Sequence, residues 1–306
     1  MRAGLLKISS LWGTLAVTGL ILLAPAPADA QGPGEPVVSG SSVGYIDSAL
    51  VGNLFRLRVD AAYDNRRPTR AEFFWAKGAP GGPGLPLPET NVDYQDISAY
   101  LELTATSWLS GFVECPVRFL NPDINPNTAG YTDMNAGFKA ALVQTEDTVA
   151  TFQFRTYLPT GNAHHGLGNN HVSLEPALLM NQKLAEKWTL EGEFRTWVPI
   201  GGTDFAGDLV RYGLGISYGT RKPDSFWVIP VLEFVGWTVL DGKESRVSSP
   251  VSSAVKDASG DTILNAKIGV RMGLNDRSDF YAGYGHALTG DTWYKDTWRL
   301  EFRLQF

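Results

Sequence analysis

The chain has 306 residues, a formal net charge of −6 and one cysteine, and 43% of its residues are hydrophobic. A lone Cys115 excludes an intramolecular disulfide framework, and a net acidic chain repels phosphate backbones, so no nucleic-acid partner is expected. Beyond residue 30 no apolar run reaches the roughly 20 residues of a membrane-crossing helix, which leaves a large soluble all-β domain or a barrel that faces lipid.

Arg2 and Lys7 precede an apolar run from Leu11 to Leu23, and Ala24-Pro-Ala-Pro-Ala-Asp-Ala30 follows. A positive flank, a short apolar centre and a small-residue exit predict a secretory signal peptide over 1–30, cleaved after Ala28-x-Ala30. The mature chain would begin at Gln31, with no cysteine there to carry a lipid. Residues 31–53 start Gly/Pro/Ser-rich and hold no sustained period, which predicts a periplasmic lead-in segment with Tyr45-Ile46-Asp47 able to tuck into a lumen. Residues 54–306 then read as one barrel.

Period-two alternation recurs from Phe55 to the last residue. Phe55, Leu57, Val59, Ala61 and Tyr63 share one face, opposite Arg56, Arg58 and Asp60. Further strands are predicted at Ile97 to Thr104, Leu109 to Phe119, Met134 to Leu142, Ala150 to Leu158 and Val172 to Met180. Trp188 to Val198, Val210 to Tyr218, Phe226 to Trp237, Leu264 to Met272, Phe280 to Leu288 and Trp298 to Phe306 complete twelve. Two are ambiguous: Phe226 to Trp237 is apolar on both faces apart from Glu233, and Phe280 to Leu288 has no clear parity.

Alternation alone does not separate a sandwich from a membrane barrel, but the connections do. Those after odd-numbered strands are long (64–92, 121–131, 160–171, 201–208, 240–261, 289–296) and those after even-numbered strands are short. An even-stranded, all-β, transmembrane up-and-down antiparallel barrel with both termini in the periplasm produces that rhythm. Ala79 to Pro88 is Gly/Pro-dense and reads as an irregular loop. Tyr63, Trp75, Trp108, Tyr157, Trp188, Trp197, Tyr218, Trp227, Trp237, Trp293 and Trp298 sit near strand ends, where two girdles at headgroup depth are expected. The terminal Phe306 with alternating apolar residues before it looks like the signal read by barrel-assembly machinery. Outer-membrane lipid and that machinery are the expected partners, in a bacterial cell outer membrane.

Met134-Asn-Ala-Gly-Phe-Lys139, Phe152-Gln-Phe-Arg-Thr-Tyr-Leu-Pro-Thr-Gly161 and Trp188-Thr-Leu-Glu-Gly-Glu-Phe194 resemble segments of a broad bacterial family of outer-membrane transporters of the phenol-degradation meta-pathway. The resemblance runs from about Ile97 to Phe306. It implies a barrel that passes small organic compounds.

Sorted by parity, the interior would hold Arg56, Arg58, Arg118, Lys139, Arg155, Arg195, Arg211, Lys267, Arg271, Arg299 and Arg303, facing Asp60, Glu102, Glu114, Glu175, Glu191, Glu193, Glu233 and Glu301. These are candidate pore-lining residues that could select a polar or anionic solute, or cross-strand ion pairs that brace the wall. The function expected is a channel for passive passage of small solutes, without cofactor or catalysis. One alternative is a lipid-acting hydrolase, since His171-Val172-Ser173 puts an imidazole and a hydroxyl on one face, as a His-activated nucleophile requires. His164 and His165 read as solvated loop residues rather than metal ligands. The other alternative is a structural or adhesive barrel.

Overall fold

The computed structural model describes residues 40–65, 84–87, 89–222, 225–249, 252–273, 275, 277–290 and 292–306. The expected signal peptide, residues 31–39, Trp75 and much of the Gly/Pro-dense loop lie outside them.

The described elements are β1 (Leu54–Asn65), β2 (Val92–Thr106), β3 (Leu109–Pro122), β4 (Thr128–Tyr131), β5 (Met134–Gln144), β6 (Thr148–Leu158), β7 (Val172–Ala185), β8 (Trp188–Ile200), β9 (Leu209–Tyr218), β10 (Trp227–Val239), β11 (Lys243–Ser249), β12 (Ser252–Asp257), β13 (Thr262–Gly273), β14 (Ser278–Ala287) and β15 (Asp296–Gln305). Every pairing is antiparallel. β1 pairs with both β2 and the last strand β15, and β2 pairs with β3, so the sheet has no free edge along its length. Twelve of these strands form the closed wall, each hydrogen-bonded to its chain neighbours. β4 is a short addition against β3, and β11–β12 form a separate hairpin inside the connection expected to be one long loop. Closure satisfies every ladder of backbone groups within the wall, which hydrocarbon demands.

The faces are sorted oppositely to those of a water-soluble protein. Leu178, Phe194, Leu214, Ile268 and Leu300 point outward with half or more of their surface exposed, whereas Arg271, Arg195 and Glu233 are at most 1% exposed. Among the described residues no second sheet covers the apolar exterior, so it is built to face acyl chains. Short turns such as Ser107-Trp108 and Glu186-Lys187 gather at the rim where β1 begins and β15 ends, called here the turn rim; long connections gather at the opposite loop rim.

Only part of the expected aromatic set faces outward. Trp108, Trp188 and Tyr218 at the turn rim, and Tyr63 and Trp298 at the loop rim, do face outward, but Tyr157, Trp197, Trp227, Trp237 and Trp293 are buried inside. Parity explains it: Trp197 shares a face with Arg195, and Trp227 and Trp237 share one with Glu233.

Candidate functional site

Residues 40–53 are inside the barrel. From Leu54 the chain runs backward into the lumen past Glu102, which accepts the Gly52 N–H, past Lys139, which donates to the Leu50 carbonyl, and past Thr151, which donates to the Ala49 carbonyl. It reaches the middle of the wall at Asp47 and Tyr45, then turns back so that Ser41 and Ser42 meet Arg303, Arg221 and Arg271 near the turn rim. The segment is therefore a U-shaped plug filling the turn-rim half of the lumen.

An irregular segment in a lumen has no ladder to join, so its backbone groups must be satisfied by side chains. Carboxylates take the donors: Glu191 accepts from Ser42 and Val43, Glu233 from Gly44, Tyr45 and Ile46, and Glu193 from Asp47. Guanidiniums take the acceptors: Arg271 donates to Ser42 and Val43, Arg299 to Gly44 and Arg211 to Tyr45. A near-balance of charge in the wall follows directly, because each peptide unit needs one partner of each kind.

The plug also has an apolar seat. Val43, Tyr45 and Ile46 join Ile229, Val231 and Val235 of β10 in one buried cluster. Gly213 and Gly215 of β9 leave the space: a Cβ at Gly215 would stand 2.6 Å from Val43 Cγ1, and one at Gly213 2.9 Å from Ile46 Cγ1.

Apart from Lys267, the remaining wall charges pair across strands or across the lumen. Arg118 meets Asp96 at 2.6 Å, Arg155 meets Glu175 at 3.3 Å, and Arg299 meets Asp60 at 2.6 Å, each between directly paired strands. Arg56 and Arg58 converge on Glu114, Lys139 meets Glu102, and Arg271 bridges Glu301 and Asp279, which also holds Arg303. Arg195 reaches Glu175 and Glu193, and Arg211 reaches Glu193. Asp47 of the plug inserts its carboxylate between Arg155 (2.8 Å) and Arg195 (3.1 Å). Burial pushes the Asp47 carboxyl up, but the two guanidiniums outweigh it and hold it well below the usual carboxylate range.

Above the plug the lumen opens into a cavity of about 230 Å³, floored by Tyr45 and Asp47 and walled by Tyr94, Tyr157, Trp197, Trp237 and Tyr294 among the charged groups. Below its floor, beside the plug, the space is only about 20 Å³. Loops partly cover the mouth. Asp133 fastens one by accepting the N–H groups of Gly161 and Asn169.

Sequence reasoning did not select Asp47 as a charged partner, nor the cavity's ring of aromatics. Parity marks the aromatics on β6, β8 and β10, and inward glycines on β9 mark the plug's seat. His171 and Ser173 are both buried on the inner face, but His171 Nδ1 bonds the Asn169 carbonyl and, among the described residues, Ser173 Oγ has no hydrogen-bond partner, so the two do not form a nucleophile–base pair. His164 and His165 are exposed on a turn, and no three metal-ligating side chains cluster among the described residues.

No protein-family model and no curated protein matches the chain. Among solved structures, the COG4313 outer membrane channel from Pseudomonas putida F1 is similar over 86% of this chain and 99% of that one, at 12% identity and a TM-score of 0.57. The NanC porin matches over 82% of this chain and all of that one, at 6% identity and a TM-score of 0.48. The KdgM porin in complex with disordered oligogalacturonate matches over 83% and 99%, at 8% identity and a TM-score of 0.46. The first of these likenesses establishes the fold, a closed twelve-stranded antiparallel barrel of the outer-membrane type.

Proposed function

We propose that this chain is a channel of the bacterial outer membrane for small solutes, closed by its own N-terminal segment. The observation that carries the reading is the change along the lumen from about 230 Å³ at the loop rim to about 20 Å³ beside the plug. The smaller space is that of about one water, so a solute passes only when residues 40–53 leave. Outside the apolar seat of Val43, Tyr45 and Ile46, their contacts are hydrogen bonds and ion pairs, which water and the wall's own charges can replace. The charged residues singled out by parity thus serve as plug socket, wall braces and, with the plug gone, pore lining.

In this reading residues 1–30 are removed on export, the turn rim faces the periplasm and the loop rim faces outside. The last strand, ending at Phe306, is the segment offered to barrel-assembly machinery. The COG4313 structure is named as a channel, and the resemblance to transporters of the phenol-degradation meta-pathway agrees with passage of small organic compounds. The role requires no cofactor and no covalent chemistry. Planar-bilayer recordings test it: the full chain should be mostly silent, and a chain lacking 40–50 should give steady unitary steps. Silence from both refutes a channel.

A further inference from the structure

Among the cations in the lumen, one has a different environment from the rest. Lys267 is 2% exposed, and among the described residues no carboxylate forms an ion pair with it. Its Nζ donates to Tyr294 Oη at 2.8 Å and stands 3.8 Å from the ring centre of Tyr45, 5.1 Å from that of Tyr294 and 5.8 Å from that of Trp237. Its neighbours are already committed: Arg299 grips Asp60 through two nitrogens, and Arg211 holds Glu193 and the Tyr45 carbonyl.

The residue directly opposite on β10 is Glu233, the natural counter-ion. Both of its oxygens are taken by plug N–H groups and by Tyr281. The seated plug therefore removes the lysine's partner while roofing it with the ring of Tyr45. An ammonium has three donors, and the bond to Tyr294 uses one. Among the described residues Tyr45 Oη, on a residue 5% exposed, also has no hydrogen-bond partner. Both Lys267 and Tyr45 line the 230 Å³ cavity.

We propose that this corner of the cavity is a binding site for a small carboxylate with a flat apolar body. The carboxylate supplies the missing counter-ion to Lys267 and accepts from Tyr45 Oη. The body lies among the aromatic faces of Trp237, Tyr294 and Tyr94, which tolerate a planar hydrocarbon and offer it few hydrogen bonds. The volume is below the roughly 300–1,000 Å³ of drug-sized sites, which limits the occupant to about a single ring with a short substituent. This deepens the channel reading by naming a solute class, and it rests on that reading only for the claim that the occupant is cargo.

The test is isothermal titration of benzoate, with benzamide as its uncharged counterpart, into the full chain purified in detergent. Benzoate should bind saturably at one site. Benzamide and the Lys267→Met variant should each lower affinity by about tenfold or more, and Tyr45→Phe, which keeps the ring, by about threefold. The proposal is overturned if benzoate fails to saturate at tens of millimolar, if benzamide binds equally well, or if both variants bind like the parent. Should Lys267→Met fail to assemble, Tyr45→Phe and the benzamide comparison decide. Bilayer recordings on the same preparations keep the two claims apart. Conduction by the plug-deleted chain without benzoate binding to the full chain removes the site alone, and binding with silence from the deleted chain removes the channel alone.

Discussion

Replacing Glu233 by glutamine keeps the shape of the plug's central anchor and removes half of its acceptors. Glu233 Oε1 accepts from Gly44 N at 2.9 Å and Tyr281 Oη at 3.0 Å, and Oε2 accepts from Tyr45 N at 2.8 Å and Ile46 N at 2.9 Å. In the better amide orientation the oxygen stays with Tyr45 and Ile46, and the new NH2 faces the Gly44 N–H. One buried donor then loses its acceptor, costing about 1–3 kcal/mol, and two charge-assisted bonds become neutral ones, costing about 1 kcal/mol each. The seated state should lose about 3–5 kcal/mol, or on the order of 10²–10⁴-fold in the ratio of seated to released plug. Hydrogen–deuterium exchange reads that ratio directly, because amides 44–46 exchange only from the released state. Their protection should fall by that factor in Glu233→Gln while strand amides such as those of β7 keep theirs. Protection within threefold of the parent would refute the anchor.

Gly44→Ala should unseat the plug by a different route: its Cβ would lie 2.2–2.6 Å from ring atoms of the buried Tyr281, and overpacking of about 1–3 kcal/mol should cut protection of amides 42–47 by about 5- to 150-fold. Asp47 has a seated pKa below its free value, so its contribution is complete above the ordinary carboxylate range and disappears as pH falls through the seated value. The difference in plug protection between the parent and Asp47→Asn should therefore be constant from neutral pH down to about 4 and shrink only below that; a difference that vanishes by pH 6 would be incompatible with the two guanidinium contacts. Leu214, outward and half exposed near the middle of β9, should cost about 2–4 kcal/mol as Leu214→Arg in vesicle-embedded urea unfolding; a loss below 0.5 kcal/mol would mean that this face does not meet hydrocarbon.

The wall was legible because its two faces differ in kind. Leu57 and Val59 against Arg56, Arg58 and Asp60, or Leu300 and Phe302 against Arg299 and Glu301, leave one parity for each strand, and the long and short connections set the hairpin order. Strand ends were less legible. β7 extends five residues past Met180 to Ala185 because a tall wall continues beyond the apolar belt. The β11–β12 hairpin is mostly polar in sequence, Lys243-Glu-Ser-Arg-Val-Ser-Ser249 and Ser252-Ser-Ala-Val-Lys-Asp257, and so gives no periodic signal. The plug was the hardest to read: residues 40–53 have no period of their own, and their partners are side chains scattered over β2, β5, β6, β8, β9, β10, β13 and β15. Its imprint was nevertheless present where the pattern was ambiguous. β10 is apolar on both faces because Ile229, Val231 and Val235 turn inward into the buried cluster that also holds Val43, Tyr45 and Ile46. The unpaired state of Lys267 was not legible, since it depends on Glu233 being claimed by the plug.

If movement of residues 40–53 opens the lumen, a reversible lock on that segment must switch conduction off and on. Val43→Cys and Gly215→Cys, in a Cys115→Ser background, place two sulfurs where a Cβ at 215 would stand 2.6 Å from Val43 Cγ1, within disulfide reach. Oxidised, this barrel should be silent in a planar bilayer at every voltage at which the parent opens, and a thiol reductant should restore steps of the size seen when 40–50 are deleted. Equal current before and after reduction, with the disulfide confirmed by mass, would mean that residues 40–53 do not gate the lumen.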